Sequence, residues 1–470
     1  MDKKRFRQHA HDLVDWMADY LEGIEDLPVR SQVQPGDIEK QLPANPPEKA
    51  EAFDAIFDDF KSIVMPGITH WQHPKFFAYF PGNSSPPSVL AEMLMATLGT
   101  NAMLWQTSPA ATEMEIRVID WLRQACGLDD GFSGSIQTTA SEATLSALLM
   151  AREKVSDYQI NEKGFHDQPI MRLYVSAEAH SSIEKDARIA GYGADNVVKI
   201  EVDDDFAMDI QALKSRIAED EAKGYIPACV IATLGATGTG GVDPLAEIGA
   251  LCKEKDIFLH VDAAWAGSAL ILREWQWMAK GSELADSMVF NPHKWLLTNF
   301  DCSIHFVRDK DALIRTFSIL PEYLKGATAT AVTDFRDWGV PLGRRFRALK
   351  LWFVLRCYGI EGLQEILRRH IDLGQMAHDA LASDLDFEIT SPLKLSLFSF
   401  RHAPEGIEDL DVHNERLIRA LNDSGDAYFT QTRVHGKYVI RWQVGQVDCQ
   451  AHHITETLNL IKSTAARIST

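Results

Sequence analysis

At 470 residues the chain is long enough for two or three domains and a large buried core. It carries 47 Lys and Arg against 67 Asp and Glu, a net charge of −20, so its surface repels phosphate backbones and is poorly suited to nucleic acid. The 6 cysteines are scattered without a CxxC pair, which fits reduced thiols in a cytoplasm and speaks against disulfides or a zinc site; no uncharged apolar run reaches bilayer length, and the N-terminus lacks the apolar stretch of a secretory signal.

Arg5 to Leu21 places Leu13, Met17 and Leu21 on one helical face, with Trp16 and Tyr20 beside them. Leu27 to Glu48 is proline-rich and irregular. A helix followed by such an arm has little core of its own, and it lies either on its own subunit or on another. His70 to Ser88 (HWQHPKFFAYFPGNSSPPS) is dense in rings, with Trp71, Phe76, Phe77, Tyr79 and Phe80 set among prolines and turn residues. Aromatics on such a loop line a pocket, unless they are simply core. From Val89 to Leu128 the pattern is helical.

Gly134 to Gln137 then reads as a short strand, and Thr138 to Glu142 leads into a helix over Ala143 to Lys154. Thr139 and Glu142 have the spacing of a capping box. A small-residue turn at a helix start offers free N–H groups to a phosphate, although many caps hold nothing. Strands and helices now alternate. Met171 to Ser176 precedes His180 and a helix to Ile189; Val197 to Val202 precedes a helix over Asp209 to Lys223. Ala228 to Thr233 ends in the turn LGATGTGG, which contains Thr237, and a helix follows over Pro244 to Lys255. Ile257 to Val261 ends at Asp262. This alternation predicts a mostly parallel α/β sheet, whose ligand sits beyond the carboxyl ends of the strands. The turn at Thr139, His180, Thr237, Asp262 and the pair His293-Lys294 all fall there.

The stretch Met288 to Ser303 (MVFNPHKWLLTNFDCS) begins as a buried strand end and breaks at Asn291-Pro292. Lys294 follows, boxed in by Trp295, Leu296 and Leu297. Such surroundings desolvate an ammonium and favour the nucleophilic amine, whereas a lone lysine there would snorkel to the surface. Beyond it, Ser303 to Val307 reads as a strand, Leu320 to Asp334 as an exposed loop and Pro341 to Tyr358 as a helix. A helical stretch runs to about Leu381. Strands at Leu393 to Arg401 and Tyr438 to Val444 bracket a helix at Asp411 to Leu421, and another helix ends this small α+β domain.

A reactive lysine, a carboxylate at the neighbouring strand end, a histidine and a phosphate turn are the parts that pyridoxal phosphate (PLP) requires. HVDAAWAGS (260–268) and NPHKW (291–295), with THWQHPKFFAYFP, TTASEAT, AHSS and PLGRRFR in order, resemble the group II PLP-dependent decarboxylases, specifically the aromatic-L-amino-acid decarboxylase type. The resemblance implies a fold-type I α/β enzyme with a mostly parallel central sheet. Residues 1–85 would form a helical arm on the partner subunit, 86–375 the large PLP-binding domain and 376–470 the small C-terminal domain. It further implies that Lys294 carries PLP as a Schiff base, that Asp262 pairs with the pyridine nitrogen, and that His180 and Ala264 flank the ring. Ala140, Ser141, Asn291 and His293 would hold the phosphate, and Thr237 would lie near the ring hydroxyl or the substrate carboxylate. Tyr323, on a lid, would return a proton to Cα.

Trp71, Tyr79, Phe80, Gly82, Asn101, Met103, His180 and Gly343 would surround the substrate. Animal relatives are apolar or aromatic where Asn101 and Met103 stand, so Asn101 favours a ring with a polar substituent. The implied reaction converts tryptophan, tyrosine, phenylalanine or dihydroxyphenylalanine to the arylalkylamine and CO₂. It would run in a cytoplasmic homodimer whose pockets are shared between subunits, without a nucleic-acid or membrane partner and without a metal. Alternatives are a glutamate-type or aldehyde-forming enzyme on the same cofactor, or a non-catalytic dimeric scaffold. The set Lys294, Asp262 and His180 argues against the scaffold, and the presence of both Tyr323 and His180 against the aldehyde-forming relatives.

Overall fold

The computed structural model describes residues 1–319 and 332–469. They divide into two compact units, Gly82–Arg369 and a second made of Met1–Pro81 with His370–Thr470.

The first unit is built on seven strands: β1 (Ser133–Gln137), β2 (Met171–Ser176), β3 (Val197–Ile200), β4 (Ile226–Thr233), β5 (Phe258–Asp262), β6 (Ser287–Phe290) and β7 (Ser303–Val307). Their order across the sheet is β1-β7-β6-β5-β4-β2-β3. Only β7 runs against its neighbours, so the carboxyl ends of the other six share one edge. Central strands of a parallel sheet are covered on both faces and read as unbroken apolar runs. β5 and β6 are accordingly buried at every residue. The helix Ala140–Ser156 lies against five of these strands. Its small residues Ala143, Ala147 and Ala151 permit a close approach, and Thr144 meets His260 of β5 at 3.1 Å. At the free edge of β1, an ion pair stands in for the missing strand. Glu115 accepts the Ile136 N–H at 2.7 Å, while Arg344 donates to the Ile136 carbonyl at 2.8 Å and to Glu115 at 2.6 Å.

Two sequence readings need correction here. The expected helix from Val89 to Leu128 is two helices, Pro86–Leu98 and Pro109–Ala125. Gly99 ends the first with φ +58°, and Ser108 caps the second by accepting the Ala111 N–H at 3.3 Å. The helix expected from Pro341 begins only at Ala348. Residues 341–347 are instead held by long-range bonds: Ala102 N–H donates to the Arg344 carbonyl at 2.8 Å, Arg344 N–H to Asn101 Oδ1 at 3.0 Å, and Arg347 forms a fork on Asp301 at 3.0 Å.

The second unit opens with the helix Lys3–Glu22, capped by Asp2 and burying no residue fully. Its Trp16 packs on Phe57 and Phe60 of the following segment at 5.8 and 5.2 Å, and Tyr20 Oη lies 2.8 Å from His70 Nδ1. The strands β8 (Phe387–Lys394), β9 (Leu397–His402), β10 (Thr430–Val434) and β11 (Lys437–Gln443) form an antiparallel sheet in the order β10-β11-β9-β8. Leu393 to Arg401 is thus the corner of a hairpin and not one strand: the chain turns at Leu395, φ +55°, and Lys394 pairs with Leu397. The helices Leu410–Ser424 and Ala451–Ser469 cover this sheet over a core that includes Phe398, Phe400 and Trp442. Among the described residues no helix is long and apolar enough to cross a membrane.

Candidate active site

Asp262 ends β5 with its side chain buried, and its carboxylate accepts the Ala264 N–H at 3.0 Å. On the adjacent β6 the chain leaves the sheet at Asn291, whose N–H reaches the Ala264 carbonyl at 3.0 Å and whose side chain takes the Ser303 hydroxyl at 2.6 Å. Pro292–Trp295 forms a single helical turn, begun by a proline that has no N–H to lose there. Trp295 stacks on Trp265 at 5.1 Å, Leu296 and Leu297 are fully buried, and Asn83 donates to the Lys294 carbonyl at 3.0 Å. Anchored on both sides, Lys294 stands half-buried just beyond β6, the strand next to the one that Asp262 ends.

His293 is clamped to Cys302 in both directions: its N–H donates to the Cys302 carbonyl at 3.2 Å, and its Nδ1 accepts the Cys302 N–H at 3.0 Å. An accepting Nδ1 puts the ring proton on Nε2, leaving that nitrogen as a donor. Burial, reinforced by the Lys294 ammonium, lowers the His293 pKa to about 3, so the ring is neutral. The segment that follows is fixed by Lys350, a fully buried lysine whose Nζ reaches the Asn299 carbonyl and Glu92, each at 3.0 Å. Ser88 adds a bond from the Asn299 N–H at 2.8 Å.

His180 follows β2, and its Nδ1 accepts the Ser182 N–H at 3.2 Å. The ring is open to solvent on one side, yet desolvation lowers its pKa; the Asp262 carboxylate opposes that shift and the Lys294 ammonium adds to it. The His180 ring thus feels the charge of both Asp262 and Lys294. Thr237 lies in the turn after β4, strand neighbour to β5. That turn is closed by Gly235 and Ala236 N–H groups on the Gly241 carbonyl, each at 2.9 Å. It is pinned by the buried Asp243, which accepts the Thr233 and Met208 N–H groups, each at 2.7 Å. Gly235 has φ +81°, and a Cβ there would sit 2.6 Å from that of Ala266, so no other residue fits.

At the start of helix Ala140–Ser156, Thr139 accepts the Glu142 N–H at 3.3 Å. The Glu142 carboxylate reaches back to the Thr138 N–H at 2.8 Å and to the Thr138 hydroxyl, one residue earlier than the capping box expected from the sequence. Ala140 and Ser141 are the first two helical residues, and no carbonyl within the helix can take their N–H groups.

Asn101, Met103 and Gly343 form a second group. The Asn101 amide is engaged at both ends, accepting the Arg344 N–H at 3.0 Å through Oδ1 and approaching Met103 Sδ at 3.6 Å through Nδ2. The Met103 carbonyl accepts Arg336 N–H at 3.0 Å. Gly343 faces open space, with Asn101 Nδ2 at 3.8 Å as the nearest atom to a Cβ placed there. Gly82 begins the same unit. Trp71, Tyr79 and Phe80 belong to the other unit, where Trp71 and Tyr79 stack at 5.7 Å and stay 42% and 49% exposed. Tyr323 lies outside the described residues.

Sequence reasoning missed Asn83, Asp243 and Lys350, which support the site through partners far along the chain and leave no local pattern. It also passed over Glu25, His452 and His453, whose ligand atoms lie within 4.8 Å of one another. There His453 Nδ1 accepts the Gln450 N–H at 2.9 Å, which puts the proton on Nε2, facing Glu25 at 3.1 Å. Both His453 ring nitrogens are spent, which leaves no lone pair on His453 for a cation.

Comparisons with known proteins agree on the family. Residues 35–403 match the pyridoxal-dependent decarboxylase conserved domain. The chain is 40% identical to tryptophan decarboxylase 2 of Oryza sativa subsp. japonica, over 100% of its own length and 96% of the relative's. It is also 40% identical to phenylacetaldehyde synthase of Arabidopsis thaliana, over 99% and 97% of the two chains. In structure it is similar to Oryza sativa TDC solved with PLP and tryptamine, with a TM-score of 0.97 at 34% identity, covering 100% and 99% of the two chains. A domain match over most of the chain, near-complete alignment with these relatives and a lysine, aspartate and histidine gathered at the sheet edge lead to one conclusion: the chain belongs to the pyridoxal-dependent decarboxylase family.

Proposed function

We propose that the protein is a PLP-dependent decarboxylase converting aromatic L-amino acids to arylalkylamines and CO₂. The observation that carries this is the placement of Asp262, His180 and Lys294 at or just beyond the carboxyl ends of the parallel strands β5, β2 and β6, with His180 feeling the charge of both others. The donor set fits the cofactor. A buried carboxylate suits a protonated ring nitrogen, and a neutral imidazole can lie on a ring without bringing a competing charge. Two free N–H groups at a helix start, with the Nε2–H of a neutral His293 and the side chain of Asn291, suit a phosphate. When bound, the cofactor supplies a conjugated cationic ring that takes up the electron pair of the breaking Cα–carboxylate bond.

The chain's own residues do the rest. Lys294 would supply the amine that anchors the cofactor. Asp262 would keep the ring nitrogen cationic, and His180 and Ala264, whose N–H bonds Asp262, would hold the ring between them. Thr237 orients either the ring hydroxyl or the substrate carboxylate. Ala140, Ser141, Asn291 and His293 would hold the phosphate, and Tyr323 would be the acid that protonates Cα. Trp71, Tyr79 and Phe80 give flat substrates an aromatic wall, and Gly343 leaves room for a large ring.

The working form we propose is a cytoplasmic homodimer whose pockets are shared between subunits. Unpartnered apolar faces support it: Phe6, Val14 and Leu21 on the first helix, and Leu90, Met93, Leu94 and Leu98 on Pro86–Leu98, are all exposed. All six cysteines are free, as a reducing compartment requires. The test is incubation of purified protein with PLP and tryptophan, tyrosine, phenylalanine, dihydroxyphenylalanine or glutamate, measuring CO₂, amine, aldehyde and peroxide. Equal amine and CO₂ from aromatic substrates is the expected result. A preference for glutamate overturns the substrate class, and aldehyde with peroxide as main products overturns the reaction.

A further inference from the structure

Tyr79 has φ +50°, a left-handed conformation that a bulky residue keeps only where its surroundings impose it. The constraints come from the C-terminal part of the same unit. Thr430 Oγ1 accepts the Tyr79 N–H at 3.4 Å, and Arg441 donates to the Tyr79 carbonyl while its guanidinium covers the Phe80 ring at 4.4 Å. Just upstream, Phe77 N–H donates to the Tyr428 carbonyl at 3.0 Å and Tyr428 N–H to the Lys75 carbonyl at 3.3 Å. The aromatic loop is thereby laced to the segment that leads into β10.

One side chain of that segment completes the arrangement. Tyr428 is half-buried, and its hydroxyl lies 3.4 Å from that of Tyr79. Its ring meets Tyr79 at 6.0 Å and 70°, and Phe76 at 5.6 Å and 75°, both edge-on. Arg30 lies over the Tyr428 ring at 6.0 Å. Tyr79 in turn lies nearly parallel to Trp71, at 14°. Burial, and then the Tyr79 contact, push the Tyr428 phenol up to about 12, so it stays protonated and can donate or accept with its neighbour.

We infer that Tyr428 is a positioning residue for the aromatic wall: its hydroxyl and ring edge hold the Tyr79 ring parallel to Trp71, and so set how the enzyme discriminates among flat aromatic substrates. This rests on the reading of Trp71 and Tyr79 as substrate contacts. Nothing in the motifs marks Tyr428, which stands more than three hundred residues along the chain from the loop it braces.

The test uses holoenzyme carrying Tyr428→Phe, Tyr79→Phe or both. Each single variant should raise KM for the best aromatic substrate three- to tenfold, shift the ratio of kcat/KM between tryptophan and phenylalanine, and leave kcat within twofold. The double variant should be no worse than either single one, because both remove the same contact. Cofactor affinity and melting temperature should stay at wild-type values, which a merely structural role would not allow. Unchanged KM and unchanged discrimination in Tyr428→Phe, or effects that multiply in the double variant, overturn the inference. A wild-type protein that turns over no aromatic amino acid overturns the functional reading, and this inference with it.

Discussion

Replacing Lys350 by methionine should loosen the site without touching it. The ammonium is fully buried, 3.0 Å from both Glu92 and the Asn299 carbonyl. Removing one partner of a buried ion pair costs about 3–5 kcal/mol, chiefly because the other charge is left uncompensated. Glu92 keeps Arg345 and Asn299 Nδ2 as partners, which brings the loss toward the lower end of that range. The bared Asn299 carbonyl adds about 1–3 kcal/mol if it finds no water. A total of about 4 kcal/mol would lower the folded-to-unfolded ratio about a thousandfold. Asn299 and Cys302 lie on the segment that follows Lys294 and clamps His293, so the affinity for PLP should fall at least tenfold as well. Urea unfolding of apoenzyme and absorbance titration with PLP measure the two effects separately. The double variant Glu92→Leu/Lys350→Met removes both charges and should recover most of the stability. Lys350→Met with wild-type unfolding and wild-type PLP affinity would refute the claim that this pair anchors the loop.

Three further outcomes are expected. Borohydride should fix PLP to the peptide containing Lys294, and Lys294→Ala should abolish that label; label on another lysine would reassign the anchor. Tyr323→Phe should still bind cofactor and release CO₂, with less amine and more aldehyde, ammonia and peroxide in the presence of oxygen. Unchanged amine yield would pass the proton to another acid, with His180 the next candidate. Glu25 has its pKa lowered, first by the hydrogen bond from His453. Its stabilising effect is therefore present above the ordinary glutamate value of 4.5 and lost as pH falls through the lower folded value. Unfolding curves of wild type and Glu25→Gln should differ at pH 7, by less than ~1 kcal/mol for so exposed a pair, and converge in acid.

The parts of the fold legible in the sequence were those whose cause is local. β2 and β7 lie where their apolar runs predict, to the residue, because a run covered on both faces and bounded by turn residues has one interpretation. Pro341 to Arg347 was misread because its helical period is overruled by bonds to Asn101, Ala102 and Asp301, which no local window contains. The break after Leu98 hung on the left-handed Gly99, and β10 was overlooked because its residues are half exposed and polar. In the site, His180, Asp262 and Lys294 could be grouped from sequence because each follows a strand that runs the same way. The arms that hold them could not: Asn83 bonds a backbone carbonyl, and Lys350 is a lysine in an ordinary helical pattern until the fold buries it.

The ion pair at the edge of β1 has a consequence for how this protein can change. Arg344 is tied down three times over, its side chain closing the sheet while its N–H and carbonyl shape the turn at Asn101 and Ala102. The residue immediately before it, Gly343, has a negative φ and almost nothing around it. An immovable position thus adjoins a vacant one. Side chains can be tried at 343 without disturbing the backbone that presents them, which makes this position a low-risk entry point for a library that tests the proposed role of Gly343 in admitting the ring.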